Sequence, residues 1–327
     1  MNTIKNKKRG LSGMQPSGTP HIGNYFGAMK QFVDLQDEFN MCIFIADYHA
    51  MTTVHDPQKL RTSIDNLILD YLAIGLDPEK VTLYRQSAIP ELTELTWVFN
   101  CLVTVPWLER AHAFKDKAAN GVEATVGLFD YPILMAADIL LPRGEVVPVG
   151  KDQVQHVEMA REIARKFNNA YGDIFIEPQE YIKESVAIIP GTDGKKMSKS
   201  YGNTIPLFGA DAEIKKAIMS IVTDSKKPED SKNPEQCNIF AIHKLITHEP
   251  QLSEIRQEYL DGKIGYGDSK KILFENYINF IAPMRKKRLF YEENPGVVRQ
   301  ILDEGKTKIQ KIVRERMKEI REKVGLS

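Results

Sequence analysis

Short apolar runs alternate with longer amphipathic runs through roughly the first 200 residues, and this alternation limits the fold more than any other feature. Pro57–Ile74, for example, is predicted to be a helix, and a second helix is predicted from Ile22 to about Phe39. The first of these has one apolar face, formed by Leu60, Ile64, Leu67, Ile68 and Leu72. Such alternation predicts a parallel sheet covered by helices, with ligand sites beyond the carboxyl ends of the strands. The predicted strands are Gly10–Met14, Met41–Asp47, Val81–Arg85 and Glu145–Val149.

After about Pro206 the pattern becomes almost wholly helical. The sequence therefore predicts an α/β domain at residues 1–205 and a helical domain at residues 206–327, with the last helix packing back on the first domain. Between Lys306 and Lys323 that helix has eight basic and three acidic residues, which suits either a solvated face or an RNA backbone contact. The predicted helices are Asp211–Val222, Ile239–Thr247, Glu254–Leu260, Asp268–Met284 and Pro295–Val324.

Bulk composition excludes several classes of protein. Lysine plus arginine and aspartate plus glutamate both number 44, so only local patches could attract a polyanion. The three cysteines are far apart, which argues against a structural zinc or a disulfide framework and suits a reducing cytoplasm. No apolar run approaches the roughly 18 residues of a membrane span. We therefore expect a cytoplasmic protein without a membrane segment or a metal bound by its own side chains.

A glycine-rich loop, Gln15–Asn24, follows the first predicted strand. Gly18 and Gly23 have the spacing of a phosphate-binding P-loop, but Asn24 stands where that motif needs lysine, which disfavours a Walker-type NTPase. What remains is a turn and a helix N-terminus with His21, whose free N–H groups and imidazole can bind an anion. An ordinary turn would have the same composition.

A second loop, Lys196-Met197-Ser198-Lys199-Ser200, places two lysines and two serines among flanking glycines. Two ammonium groups suit a triphosphate whose charge moves during reaction, and Met197 is predicted to anchor the loop against the fold. A surface lysine loop is the simpler alternative on composition alone. Few proteins have both this loop and the first one, so the pair favours nucleotide chemistry.

The stretch Tyr131–Leu140 has Pro132 at a predicted helix start, and it would place Tyr131, Met135 and Asp138 on one helical face. A buried carboxylate needs a donor, and the donor-only indole N–H complements it. A tyrosine hydroxyl could also meet such an acceptor, and so could backbone groups in a core helix. The residues alone leave these three interpretations open.

Three motifs now support a family resemblance. His21-Ile22-Gly23-Asn24 and Lys196–Ser200 resemble the two signatures of class I aminoacyl-tRNA synthetases, and Asn24 in place of the commoner histidine is frequent in the tryptophanyl branch. With Tyr131–Leu140 added, the chain resembles the bacterial tryptophanyl members of that family. The resemblance implies a Rossmann-like catalytic domain, which includes the lysine loop, and an α-helical anticodon-binding domain.

The resemblance also implies roles for individual residues. Asp138 would bind the indole N–H, Asp152 the ATP ribose, and Gln153 with Tyr131 the substrate amino group. The other pocket residues would be Met135, Val147 and Val149. Phosphate charge would be stabilised by His21, Lys117, Lys196 and Lys199. The remaining ATP-binding residues would be Gln15, Pro16, Ser17, Gly23, Asn24, Gly150, Lys151, Met197, Ser198 and Ser200.

The implied reaction joins L-tryptophan to tRNA(Trp) through an adenylate, with Mg²⁺ carried on the ATP phosphates, and the relatives imply a homodimer. The nearest alternative is tyrosyl-tRNA synthetase, which shares the fold and both signatures. A cytidylyltransferase-like enzyme is disfavoured because it would not need the large helical part. A paralogue that only binds RNA is disfavoured by the intact His21, Lys196 and Lys199.

Overall fold

A computed structural model describes residues 7–110, 125–150, 153–182 and 189–327. The chain forms two compact units, and each takes its residues from separate parts of the sequence. The first unit contains Met1–Gly18, Gln31–Glu184 and Tyr291–Ser327, and the second contains Thr19–Lys30 and Ser185–Phe290. The division into catalytic and anticodon-binding domains at residue 205 is a functional one and stays a prediction.

The first unit is built on a parallel five-stranded sheet in the order β3-β2-β1-β4-β5. This confirms the predicted fold class, and the four predicted strands all form with ends shifted by one or two residues. The fifth strand was not predicted, because three residues with one glutamine and one glutamate give no apolar run. The strands are β1 Arg9–Met14, β2 Asn40–Ile45, β3 Thr82–Arg85, β4 Val146–Pro148 and β5 Gln179–Tyr181.

Helices cover the sheet of the first unit and carry its apolar core. The described helices of this unit before residue 182 include α3 Asp47–Ala50, α4 Pro57–Ala73, α5 Glu91–Asn100, α6 Val105–Leu108, α7 Val126–Leu140 and α8 Val154–Tyr171. The predicted start of α7 at Pro132 is wrong. Thr125 caps the helix by accepting a hydrogen bond from the Leu128 backbone N–H (3.2 Å), so helix formation begins before the proline.

The predicted helix from Ile22 to Phe39 is also wrong in detail. It is divided into α1 Ile22–Asn24, a π-helical turn over Tyr25–Met29, and α2 Lys30–Leu35. The rings of Tyr25 and Phe26 both lie 5.7 Å from the ring of Phe280, so tertiary packing outweighs the simple helical pattern here. The later helices are α9 Asp211–Met219, α10 Asn238–Ile246, α11 Gln251–Asp261, α12 Tyr266–Glu293 and α13 Pro295–Val324.

Helix α13 packs against β3 and α5 of the first unit. Its apolar stripe is buried at Ile309, Val313, Met317 and Ile320. Two of its basic side chains form hydrogen bonds with other parts of the first unit. Arg316 donates to the Ile174 carbonyl (2.7 Å), and Arg321 forms a two-pronged pair with Glu94 (2.7 and 2.6 Å). No helix among the described residues is long and apolar enough to cross a membrane.

Candidate active site

Asp138 is the one deeply buried carboxylate among the predicted site residues that the structure describes in the first unit. It lies on α7 with 2% exposure, and its carboxylate accepts three hydrogen bonds from side chains. Gln86 Nε2 lies 2.9 Å from Oδ1 and 2.8 Å from Oδ2, and His49 Nε2 lies 2.9 Å from Oδ2. Because a carboxylate oxygen accepts more than one bond, the group retains capacity for a further donor.

Opposing effects act on the protonation of Asp138. Burial raises the pKa of its carboxyl group, while the hydrogen bonds from His49 and Gln86 lower it. The nearby charge of Asp47 raises it further. The carboxylate therefore depends on its protein donors for its charged form.

Tyr131 and His156 form a second polar pair beside this group. The Tyr131 hydroxyl lies 2.7 Å from His156 Nε2, and the His49 ring meets the Tyr131 ring edge-on at 6.1 Å. Burial raises the pKa of Tyr131 to about 12, so the phenol stays protonated at neutral pH. Of the other predicted pocket residues, Val147 is buried, whereas Met135 and Val149 are half-buried against the same core.

The predicted nucleotide-binding residues of the first unit follow two neighbouring strands. Pro16 is buried, Gln15 is half-buried and Ser17 is exposed in the segment that leaves β1. Exposed Gly150 follows β4. Gln153, which was predicted to hold the substrate amino group rather than the nucleotide, is half-buried at the N-cap position of α8, where its side chain does not cap the helix. Lys117, Lys151 and Asp152 lie outside the described residues.

In the second unit, His21 and Asn24 cap α1 reciprocally. The Asn24 backbone N–H donates to His21 Nδ1, and the His21 backbone N–H donates to Asn24 Oδ1, both at 3.2 Å. Burial and the nearby charge of Lys199 lower the pKa of His21 to about 4, so the ring is neutral at pH 7. Because Nδ1 accepts, the proton lies on Nε2, which is left as the donating nitrogen.

Within the second unit, the turn that contains His21 and Gly23 contacts the lysine loop, Lys196–Ser200. A Cβ atom at Gly23 would lie 2.8 Å from His21 Nδ1 and 3.3 Å from the Met197 Cβ, so glycine permits this close packing. The Ile22 N–H donates to the Ile205 carbonyl at 3.0 Å. Met197 is only 4% exposed, which confirms its predicted anchoring role. Lys196 and Lys199 on either side of it are exposed.

Asn203 organises the lysine loop from a buried position. Its Oδ1 accepts from the Ser198 N–H (2.8 Å), and its Nδ2 donates to Asp193 Oδ1 (2.6 Å) and to the Lys196 carbonyl (3.1 Å). Ser198 in turn caps the short 3₁₀ helix Lys199–Tyr201. The loop backbone is therefore fixed at its base, while its lysines are exposed.

Sequence reasoning missed four residues of these clusters. Gln86, His49, His156 and Asn203 were given no role. Gln86 and His49 follow the carboxyl ends of β3 and β2, where ligand sites of parallel sheets lie, so their position was the available signal. Within the described residues, no group of three or more histidine, cysteine, aspartate or glutamate side chains is placed to hold a metal ion.

Comparisons with known proteins agree with this geometry. A model of the family "tRNA synthetases class I (W and Y)" matches residues 3–282. A tryptophan–tRNA ligase of Fusobacterium nucleatum is 49% identical over 98% of both chains. The crystal structure of Campylobacter jejuni tryptophanyl-tRNA synthetase complexed with ADP and tryptophan is 49% identical, covers 97% of this chain and 100% of its own, and superposes with a TM-score of 0.93.

A more distant relative extends the same comparison. The tryptophanyl-tRNA synthetase from Mycoplasma pneumoniae is 30% identical, covers 98% of both chains and has a TM-score of 0.82. The similarities to these three relatives cover 97–98% of this chain, and the family model matches residues 3–282. The chain therefore belongs to the class I tRNA synthetases of tryptophan and tyrosine, and within them to the tryptophan–tRNA ligase family.

Proposed function

We propose that the protein activates L-tryptophan with ATP to tryptophanyl-adenylate and then transfers the amino acid to tRNA(Trp), releasing AMP and diphosphate. The observation that carries this proposal is the buried carboxylate of Asp138, held among side-chain donors in the mostly apolar second half of α7. An acceptor-only group with spare lone pairs matches the donor-only indole N–H. A similar chain that binds ADP and tryptophan supports the same assignment.

The first step is attack by the tryptophan carboxylate on the α-phosphorus of ATP. A carboxylate is already nucleophilic, so the step needs alignment and charge stabilisation rather than a general base. Lys196 and Lys199 would follow the leaving diphosphate, and neutral His21 would donate from Nε2 to a phosphate oxygen. Lys117 would add a further charge. The remaining predicted residues, from Gln15 to Gln153, would hold ATP and tryptophan in the roles that the family resemblance implies.

Mg²⁺ would enter with ATP, bound by phosphate oxygens and water, as this hard cation prefers. The side chains of the lysine loop fit such a complex, because ammonium and hydroxyl groups hold phosphates and leave the ion to the nucleotide. Residues 206–327 would serve tRNA binding as the anticodon-binding domain. A cytoplasmic location follows from this role in protein synthesis.

A homodimer is the proposed assembly, and exposed apolar side chains of the first unit support it. Met51, Trp97, Val105 and Val126 are between 56% and 81% exposed, and α7, which carries Val126, packs against both α5 and α6. Large apolar groups left in water favour association. Trp97→Glu should give a monomer in light scattering, with Tyr201→Glu as a control at another exposed aromatic residue. An unchanged dimer would exclude this surface.

ATP–diphosphate exchange, run separately with tryptophan and with tyrosine, tests the proposed function. We expect exchange with tryptophan and at least about 100-fold lower kcat/KM with tyrosine, because a site built around one hydrogen-bonded donor rejects a ligand that places its donor elsewhere. Equal rates with both amino acids, or exchange with tyrosine alone, would favour the tyrosyl alternative. Aminoacylation of tRNA(Trp) then tests the second step.

A further inference from the structure

Gln86 joins three parts of the first unit through one buried side chain. It follows β3 directly and is 0% exposed. Its Nε2 donates to both carboxylate oxygens of Asp138, while its Oε1 accepts from the backbone N–H groups of Tyr48 (3.0 Å) and His49 (3.3 Å). The amide therefore has one fixed orientation, because a flipped amide would face these N–H groups with its own donors.

The protonation state of Asp138 decides whether it can bind an indole. A protonated carboxyl group would present a donor to the donor-only indole N–H. Burial and the charge of Asp47 both favour that protonated form. The hydrogen bond and the charge of His49 oppose them most strongly, followed by the hydrogen bonding of Gln86. Gln86 makes two of the three bonds, one to each carboxylate oxygen, whereas His49 bonds to Oδ2 alone, so Gln86 is the donor that orients the carboxylate as a whole.

We propose that Gln86 is a positioning residue for amino acid selection, which keeps the Asp138 carboxylate oriented as an acceptor for the indole without touching the substrate. The proposal rests on the proposed function and deepens it. A glutamine that only stabilised the fold would affect the amount of folded enzyme. A positioning residue affects the KM for tryptophan while kcat stays close to that of the wild type.

Gln36 provides a matched control in the same unit. It is also a buried glutamine, and it also bridges two backbone groups. Its Nε2 donates to the Gly75 carbonyl (3.3 Å), and its Oε1 accepts from the Asp77 N–H (2.9 Å). Both of these side-chain bonds go to the backbone and neither goes to Asp138. Gln36→Glu therefore reproduces the loss of a buried amide without changing the bonds between Gln86 and Asp138.

The Gln86→Glu variant gives the sharpest test, because the new group has nearly the same shape and can be titrated. While its carboxyl group is protonated it can donate to Asp138 as the amide does. Once ionised, it places a like charge against that carboxylate. The titratable groups facing Asp138 are Asp47, His49 and Tyr84, with the Tyr131–His156 pair beyond His49. All of them are also present in the wild type and the control.

The KM for tryptophan is measured by ATP–diphosphate exchange between about pH 6 and about pH 8.5. In Gln86→Glu we expect this KM to rise at least about tenfold as the pH increases from about 6 to about 8.5. Its kcat should stay within about twofold of the wild type. Wild type and Gln36→Glu should lack this rise. Gln86→Met, which has no donor, should raise the KM at every pH, and it decides the question if Gln86→Glu does not fold.

Two outcomes would overturn the inference while the proposed function stands. One is a tryptophan KM in Gln86→Glu and Gln86→Met that follows the wild type at every pH. The other is a loss of kcat in these variants at unchanged KM. Absence of tryptophan-dependent exchange in the wild type would instead overturn the proposed function, and the inference with it. The wild-type measurement therefore separates the two failures.

Discussion

Two exposed lysines flank a buried methionine in the loop that contacts His21, and their charge is the predicted source of catalysis. Lys199→Ala should lower the rate of adenylate formation by about 30–1,000-fold, equivalent to about 2–4 kcal/mol of lost transition-state stabilisation. Tryptophan affinity should change little, because the loss is confined to the phosphates. Pre-steady-state measurement of adenylate formation and equilibrium binding of tryptophan separate the two effects.

Lys195→Ala is the matched control for this prediction. Lys195 is exposed in the same loop but precedes the signature. Its replacement should leave adenylate formation nearly unchanged. Equal losses in the two variants would mean that general loop charge, rather than the position of Lys199, is responsible.

Individual residues were predictable only where their chemistry is unusual for their surroundings. Asp138 could be identified as a carboxylate on an apolar helical face, and Met197 as an apolar anchor in a cationic loop. The donors that hold Asp138 could not be paired with it, because Gln86 and His49 are 52 and 89 residues away in sequence. An isolated glutamine after a strand has no pattern of its own, and only the tertiary contact reveals it.

At the scale of elements, helix α13 approaches the edge strand β3 unusually closely at Gly305. A Cβ atom there would lie 1.9 Å from the Leu83 carbonyl oxygen, and this backbone atom cannot move aside as a side chain could. Gly305→Ala should therefore destabilise the protein by about 1–3 kcal/mol in urea unfolding, despite the better helix propensity of alanine.

Gly296→Ala in the first turn of the same helix is the control. A Cβ atom there meets nothing within 4 Å, so this variant should be neutral or up to about 1 kcal/mol more stable. The sign of the difference between the two variants tests the close approach. Equal stabilities would show that α13 can shift away from β3 without cost.

Elements were predictable in proportion to their length and periodicity. Pro295–Val324 has a long apolar stripe between a helix-starting proline and a terminal glycine, and its predicted bounds agree with α13. The prediction of one helix from Ile22 was wrong because the π-helical turn there depends on packing against Phe280, some 250 residues later. Strand β5 was not predicted because its three residues form a strand by pairing with β4 and have no apolar pattern of their own.

At the scale of the whole molecule, the chain enters the first compact unit three times and the second unit twice, and this could not be predicted from local patterns. The change from mixed to helical patterning near Pro206 indicated one boundary along the sequence. The structure instead groups Thr19–Lys30 with Ser185–Phe290, because backbone hydrogen bonds join Pro20 and Ile22 to Leu207 and Ile205. Long-range pairing of this kind leaves no trace in hydrophobic periodicity.

The buried histidines make the stability of the molecule sensitive to acid. His243 bonds to Thr247 Oγ1 through Nδ1 (2.8 Å) and lies 3.2 Å from Ser269 through Nε2, and burial lowers its pKa to about 4. The unfolded chain therefore binds this proton more readily than the folded chain. Its contribution to stability is present in full above about pH 6.5 and is lost as the pH falls towards about 4.

Urea unfolding followed by circular dichroism between about pH 7 and about pH 4.5 measures this loss. His21 should add a loss of the same sign, because its pKa is also lowered. His243 alone should account for a loss on the order of 2–3 kcal/mol in unfolding free energy between about pH 7 and about pH 4.5. His243→Gln should make the slope of unfolding free energy against pH smaller, whatever its effect on absolute stability. His55→Gln, at an exposed histidine, should keep the wild-type slope. Equal slopes in all three proteins would mean that His243 does not control acid stability.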